Sequence, residues 1–347
     1  MDFDLSDDQE ALRDAARSLL DDHCSTSAVR RMLDIDGYDE DLWSRMVDQG
    51  WLGVAAATNR GGLGLGTVEA AVLLEQSGAH LAPVPFLQQL LALSVLDDTV
   101  WADDLLSGER IATVARRPVR LDDDGTVSGR PEPVIFGALA DVLVVPTEDA
   151  LVAVDLTAVE RSAEPAMDGT RQLAWVELAQ TPATIVGDGE AAAAFLARGA
   201  VYHAAEMLGG ADALLALTVA YANEREQFGR PIGSFQAVKH RCADMLVDVE
   251  GMRSAVYHAA WAIGADDDEA SLAAATAKCW CSDAGLRVAE SSLQVHGGIG
   301  FTWEADVHLY LKRAQLDQIS FGDASHHRQT LGAMVRERLS AGQSIIS

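Results

Sequence analysis

Two short segments in the last third of the chain carry residue types suited to an anionic ligand. The first, Arg225-Glu226-Gln227-Phe228-Gly229-Arg230-Pro231-Ile232-Gly233, leads into Phe235-Gln236-Ala237-Val238-Lys239-His240. The second is Gln294-Val295-His296-Gly297-Gly298-Ile299-Gly300-Phe301-Thr302. The planar fork of Arg225 can grip phosphate oxygens at two points. Gln236 and Gln294, at the ends of predicted helices, can donate to and accept from a ribose or a ring edge. Gly297, Gly298 and Gly300 permit positive φ and close backbone approach, which exposes N–H groups to an anion. Phe228 offers a face to a ring, and equally suits a generic core aromatic. A GGxG alone carries little information; three residues after a glutamine, at a helix–loop–helix junction, it is specific.

These groups sit in an acidic chain. Its 347 residues include 26 Lys+Arg and 53 Asp+Glu, a formal balance of −27. Such a surface repels nucleic acid and anionic membranes, but tolerates a phosphorylated ligand where basic residues gather locally. A chain of this size buries about 75% of its unfolded surface and usually divides into domains. No run of roughly 18 apolar residues is present, so a membrane span is not expected. Met1-Asp2-Phe3-Asp4-Leu5 lacks the basic-then-apolar order of a signal peptide. Four cysteines, Cys24, Cys242, Cys279 and Cys281, suit a reducing cytoplasm as buried thiols. Cys279-Trp280-Cys281 has no second ligand pair nearby, which argues against zinc.

The elements that must position the two segments follow from periodicity. Ser6 with Gln9 and Glu10 forms a capping box, and Leu12, Ala15, Ala16, Leu19 and Leu20 continue at helical spacing. Further helices are expected over 40–49, ending at Gly50, and over 67–79. The intervening Gly61-Gly62-Leu63-Gly64-Leu65-Gly66 does not follow a strand, so it reads as a helix-to-helix loop and not a dinucleotide fingerprint. From about 108 to 187 the period becomes that of strands: 111–114, 134–136, 142–145, 151–154, 175–178 and 184–186. Turn material at Asp122-Asp123-Asp124-Gly125, Ser128-Gly129 and Pro146 separates them. Helices then return over 190–223, 235–264, 268–294 and 306–318, with a last one after Ser325, in the manner of an up-and-down bundle. The fold expected is α+β and mainly α: an N-terminal helical domain (1–107), a small antiparallel β domain (108–187) and a C-terminal four-helix bundle (188–347).

The two segments closely resemble the signatures of the acyl-CoA dehydrogenase family, flavoenzymes with this helix–β–helix layout. Leu5-Ser6-Asp7-Asp8-Gln9 and Ala82-Pro83-Val84-Pro85-Phe86 are similar too. The resemblance implies FAD as cofactor, with Arg225, Phe228, Gln236, Gln294, Gly297 and Gly298 contacting a flavin held mainly by a neighbouring subunit. It also implies an acyl-CoA substrate and an electron-transfer flavoprotein as acceptor.

The chain departs from that pattern where the flavin ring and the reaction are served. Family members carry Thr-Glu-Pro-x-Ala-Gly-Ser-Asp and Trp-x-Thr-Asn-Gly elements in the β domain. The corresponding places here are Val114-Ala115-Arg116-Arg117-Pro118-Val119 and Pro133-Val134-Ile135-Phe136-Gly137, which lack those hydroxyls and amides. The glutamate that takes the α-proton in most relatives is replaced by Phe321, and the other family position for it falls at Gly199. Asp323 and Glu206 are the surviving carboxylates, Glu206 two helical turns or ~10 Å beyond Gly199; Asp323 reads equally as a helix cap. His326 and His327 read as a solvent-facing pair. The combination resembles the non-catalytic subunit of heteromeric acyl-CoA dehydrogenases acting on steroid side-chain thioesters. Two other readings stand beside it: a self-sufficient homo-oligomer using Asp323 or Glu206, and a flavin-free structural or regulatory partner.

Overall fold

The computed structural model describes residues 5–35, 37–342 and 344; the signal-peptide reading of residues 1–4 lies outside them. Helix α1 (Asp7–His23) opens with reciprocal capping. Gln9 N–H donates to Ser6 Oγ at 3.3 Å and Ser6 N–H to Gln9 Oε1 at 3.0 Å. Gln9 closes the box, while Glu10 pairs with Arg13. Helices α2 (Thr26–Met32) and α3 (Glu40–Asp48) follow, and Gly50 then takes the left-handed φ of 75° that ends a helix. The glycine-rich loop lies between a 3-10 turn at Thr58–Arg60 and α4 (Thr67–Ala79). A Cβ on Gly62 would fall 2.2 Å from Ala56 O, so this loop is a tight reversal with no room to cradle a ligand there. Helices α5 (Phe86–Leu96) and α6 (Ala102–Leu106) complete the helices that precede the strands.

Nine strands occupy the β region. In order they are β1 (Ala112–Val114), β2 (Arg120–Leu121), β3 (Thr126–Gly129), β4 (Val134–Ile135) and β5 (Val142–Pro146). They continue as β6 (Ala150–Asp155), β7 (Glu160–Glu164), β8 (Leu173–Pro182) and β9 (Thr184–Asp188). One sheet has the order β1-β5-β6-β9; the other runs β2-β3-β8-β4, with β7 also on β8. Every ladder is antiparallel except β1–β5, which is parallel. The aspartate run does turn the chain, between β2 and β3. Ser128-Gly129 does not: it is the end of β3, where a register shift after Val127 absorbs the glycine. Buried Val127, Leu143, Val145, Val152, Val154, Val176 and Leu178 form the apolar core of this region.

The chain then forms α7 (Gly189–Glu224), a small hairpin of β10 (Glu226–Gln227) and β11 (Arg230–Pro231), α8 (Gln236–Gly264), α9 (Ala270–His296), α10 (Val307–Ile319) and α11 (Ala324–Ser340). By compactness there are two units. One comprises the described residues up to Arg13, Leu74–Leu81 and those from Ala200 on; the other comprises Asp14–Leu73 and Ala82–Gly199.

By length and composition α7 could cross a membrane, which the search for an unbroken apolar run did not reveal. However, half of its most apolar stretch is buried, and its buried His203, Glu206 and Thr218 find partners on other helices, as in a bundle core. Within that unit the end of α4 meets α7 at backbone distance. A Cβ on Gly78 would lie 2.0 Å from Glu206 O, and one on Gly209 would lie 1.8 Å from Glu75 O. Gly209→Ala should therefore force the two helices apart and destabilise by about 3 kcal/mol or more. Thermal unfolding of the purified variant measures this, and an unchanged midpoint would contradict the close crossing.

Candidate functional site

The two ligand-type segments are brought to one end of the second-half helices. Near the ends of α7 and α9, the rings of Tyr221 and His296 stack with centroids 4.4 Å apart and planes 20° apart. One turn deeper, Thr218 Oγ1 donates to Ser292 Oγ at 2.7 Å in a fully buried pair. Arg225 follows Tyr221 by one turn, and Gly297 follows His296 directly. The reversal at Ile232–Ser234 packs back on α7, where a Cβ on Gly233 would sit 2.9 Å from Ala222 O. Sequence reasoning named neither Tyr221 nor Thr218, because a stack or a hydroxyl pair between distant helices leaves no local period.

The six ligand candidates share this end and are open to solvent. Arg225, Phe228, Gln236, Gln294 and Gly298 are exposed, and Gly297 is half-buried. Phe228 is 91% exposed at the tip of the β10–β11 hairpin, with φ of 55°, so it is not a core aromatic. Its ring meets Phe235 edge-on at 6.0 Å, and the Arg230 guanidinium covers Phe235 at 4.2 Å. Gln236 Nε2 lies 3.5 Å from His240 Nε2. Gly297 has φ of 63° and open space where a Cβ would be, as does Gly298; Gly300 instead packs against Leu293 and His296. Exposed donors, a glycine turn and an exposed guanidinium suit the phosphate end of a dinucleotide.

The places where a proton acceptor would be sought are occupied differently. Phe321 is buried, with a left-handed φ of 54°. Its ring stacks on His203 at 5.4 Å, and its carbonyl oxygen lies 3.0 Å from His327 Nε2, an arrangement that needs the proton on that nitrogen. Gly322 has a φ of 97°, a conformation that favours glycine, and a Cβ there would fall 2.9 Å from the buried His327 Nε2. His327 is thus buried, while His326 alone faces solvent, which corrects the solvent-facing pair. Gly199 is a buried residue of α7.

Asp323 is exposed and caps α11, its Oδ1 accepting from His326 N–H at 2.7 Å. That hydrogen bond, ahead of all other influences, holds the carboxyl below the ordinary carboxylate range. A general base works best with a pKa near the operating pH, so the shift runs the wrong way.

Glu206 is 1% exposed, and its Oε1 accepts from Arg313 Nη1 at 3.3 Å. Beside this pair, His203 Nδ1 lies 3.4 Å from Asp317 Oδ1. Lys278 Nζ donates to Asp317 O and Gln318 O, both at 2.9 Å, and to Ser282 Oγ at 3.1 Å. One ligand atom each from His203, Glu206 and Asp317 lies within 4.8 Å of the others. Arg313 already opposes the Glu206 carboxylate, while Lys278 is held by backbone carbonyl oxygens at the end of α10.

Of the cysteines, Cys24 and Cys281 are buried while Cys242 and Cys279 are half-buried, so the expectation of four buried thiols holds for two. Burial pushes the Cys281 thiol up to about 12, which makes it inert.

The chain belongs to the acyl-CoA dehydrogenase family. Its residues 6–97 match the acyl-CoA dehydrogenase N-terminal domain and residues 187–335 the C-terminal domain. It is 38% identical over 317 residues to the acyl-CoA dehydrogenase IpdE2 of Mycolicibacterium smegmatis, covering 89% of this chain and 93% of that protein. Among solved structures it resembles a chain of the ChsE4–ChsE5 complex from Mycobacterium tuberculosis, with TM-score 0.91, 31% identity and 97% and 99% of the two chains covered. A chain of the Tcur3481–Tcur3483 steroid ACAD is similar, with TM-score 0.89, 31% identity and 96% and 99% covered.

The cap makes a pH-dependent prediction. Because the folded-state pKa of Asp323 is depressed, its contribution is present above the ordinary carboxylate pKa and is lost as pH falls through the lower folded value. Asp323→Ala should cost about 1 kcal/mol near neutral pH and nothing in strong acid, while Asp323→Asn keeps most of the cap. Unfolding midpoints of the three proteins, measured from neutral to acid pH, test this.

Proposed function

We propose that this chain is the non-catalytic subunit of a heteromeric acyl-CoA dehydrogenase, completing the FAD site of a partner subunit that supplies the catalytic glutamate. The observation that carries the reading is an asymmetry. Groups suited to a nucleotide's phosphate end are exposed at one end of the bundle. Phe321 stands at the expected base position, locked on His203; Asp323 is committed to a cap and Glu206 to Arg313. Family membership supports an oxidoreductase that removes two hydrogens from the α,β bond of an acyl-CoA thioester. Similarity to chains of the ChsE4–ChsE5 complex and of a steroid ACAD supports a second, related subunit and a steroid-derived acyl group. An electron-transfer flavoprotein is proposed as acceptor from the family resemblance, and a cytoplasmic location from the cysteine usage.

In the assembly FAD supplies the hydride acceptor. This chain's residues act at its other end. Arg225 would oppose the pyrophosphate charge with two parallel N–H donors, locally reversing an acidic surface. Gln236 and Gln294 would meet ribose or base edges, and the backbone at Gly297 and Gly298 would approach without side-chain obstruction. The proton is left to a carboxylate of the partner.

The test is purification of the chain alone and with a co-expressed partner. FAD should be retained only by the complex, and Arg225→Ala should lower its flavin content. Full FAD and turnover in the lone chain would point to a homo-oligomer, and no FAD in either preparation to a structural partner; each result would overturn the proposal. Asp323→Asn should leave turnover of the complex within a few-fold, since losing a general base costs about 10²–10⁴-fold.

A further inference from the structure

Arg116 and Arg117 follow β1, and the backbone N–H groups of both point to a single carboxylate. Glu132 Oε1 accepts from Arg116 N at 2.7 Å, and Oε2 accepts from Arg117 N at 2.9 Å. Two oxygens of one anion on two successive amides is how a backbone holds a ligand carboxylate or phosphate. Here the anion comes from the same chain. Glu132 lies between Pro131 and Pro133, which fix φ on both sides and stiffen the segment that delivers it to the amide pair.

The neighbouring donors are engaged as well. Thr113 Oγ1 donates to Ile135 O at 2.6 Å. Phe136 takes a left-handed φ of 56°, is 1% exposed, and lies under the Arg171 guanidinium at 5.6 Å. Arg171 in turn donates to Ala82 O at 2.6 Å. The segments 114–119 and 133–137 therefore do not fit a flavin ring: the donors named there are satisfied internally, and Val114, Val119, Val134, Ile135 and Phe136 turn into the core.

We propose that Glu132 is an internal surrogate ligand, its carboxylate filling a two-amide seat for the carbonyl edge of a heterocyclic ring and so closing this chain's own ring end. The inference rests on the reading that the flavin ring belongs to a partner, and it names the residue that keeps the ring out of this chain. A carbonyl edge offers lone pairs to successive N–H groups as a carboxylate does, only more weakly, so an ionised internal competitor wins. The same clamp ties the β4 segment to the end of β1, which makes it a structural bond besides.

The experiment uses the full-length chain without a partner and two probes. Riboflavin carries the ring without phosphates, so Arg225 contributes nothing; formate is the smallest carboxylate. Glu132→Ala should melt lower than wild type, recover with formate, and bind riboflavin at least roughly tenfold more tightly than wild type by fluorescence quenching. Formate rescue without any gain in riboflavin binding would leave Glu132 a purely structural clamp and overturn the proposal. Riboflavin binding by wild type equal to that of the variant would overturn it too. Should Glu132→Ala fail to fold, Glu132→Gln carries the test. Its single carbonyl oxygen can serve only one of the two amides, so riboflavin binding should rise above wild type, and no rise overturns the proposal. These arms are separate from FAD retention by the complex, which depends on the phosphate end.

Discussion

The charge-compensated layer inside the helical bundle is the constraint on which the rest of the second-half unit depends. Arg313 meets Glu206, Lys278 seals the carbonyl end of α10 at Asp317 and Gln318, and His203 bridges Asp317 to the ring of Phe321. Ionic groups this deep are tolerable only in pairs, and removing one partner strands a buried charge at a cost of about 3–5 kcal/mol. The layer therefore admits one register of α7, α9 and α10. That register puts the ends of α7 and α9 side by side, where Tyr221 and His296 stack, and so assembles the exposed nucleotide-type surface.

The same layer fixes Phe321 in place. Phe321 is held by ring stacking on His203 and by the hydrogen bond between its carbonyl and His327, in a left-handed backbone conformation. Strained, over-determined backbone of this kind is usual at working sites. Here it holds an aromatic side chain, while Asp323 and Glu206 are committed to a helix cap and an ion pair. In the β region Glu132 supplies an acceptor to two successive amides from within the chain.

Much of the layout was legible in the residues. The capping box at Ser6 and Gln9, the strand runs of the β region and the long helices of the second half all rest on local periodicity, and they occur where the pattern puts them. The small strands β2, β3 and β7 escaped because they are short or polar, and their pairing comes from β8 and from one another, not from their own pattern. Ser128-Gly129 carries turn residues, yet ladder partners hold it as strand. The parallel β1–β5 pair could not be foreseen, since direction depends on how the chain between them returns.

The candidate site divides along the same line. Residue type and spacing alone determined that Arg225, Gln236, Gln294 and the Gly297-Gly298 turn could serve an anionic ligand, and that Phe321 and Gly199 could not take a proton. Those are properties of side chains and of short stretches of backbone. Tertiary structure alone decided that Glu206 faces Arg313 across 107 residues, that His203 joins Asp317 across 114, and that Glu132 closes on Arg116 and Arg117. Such meetings depend on the path the chain takes between the partners, which no local period records.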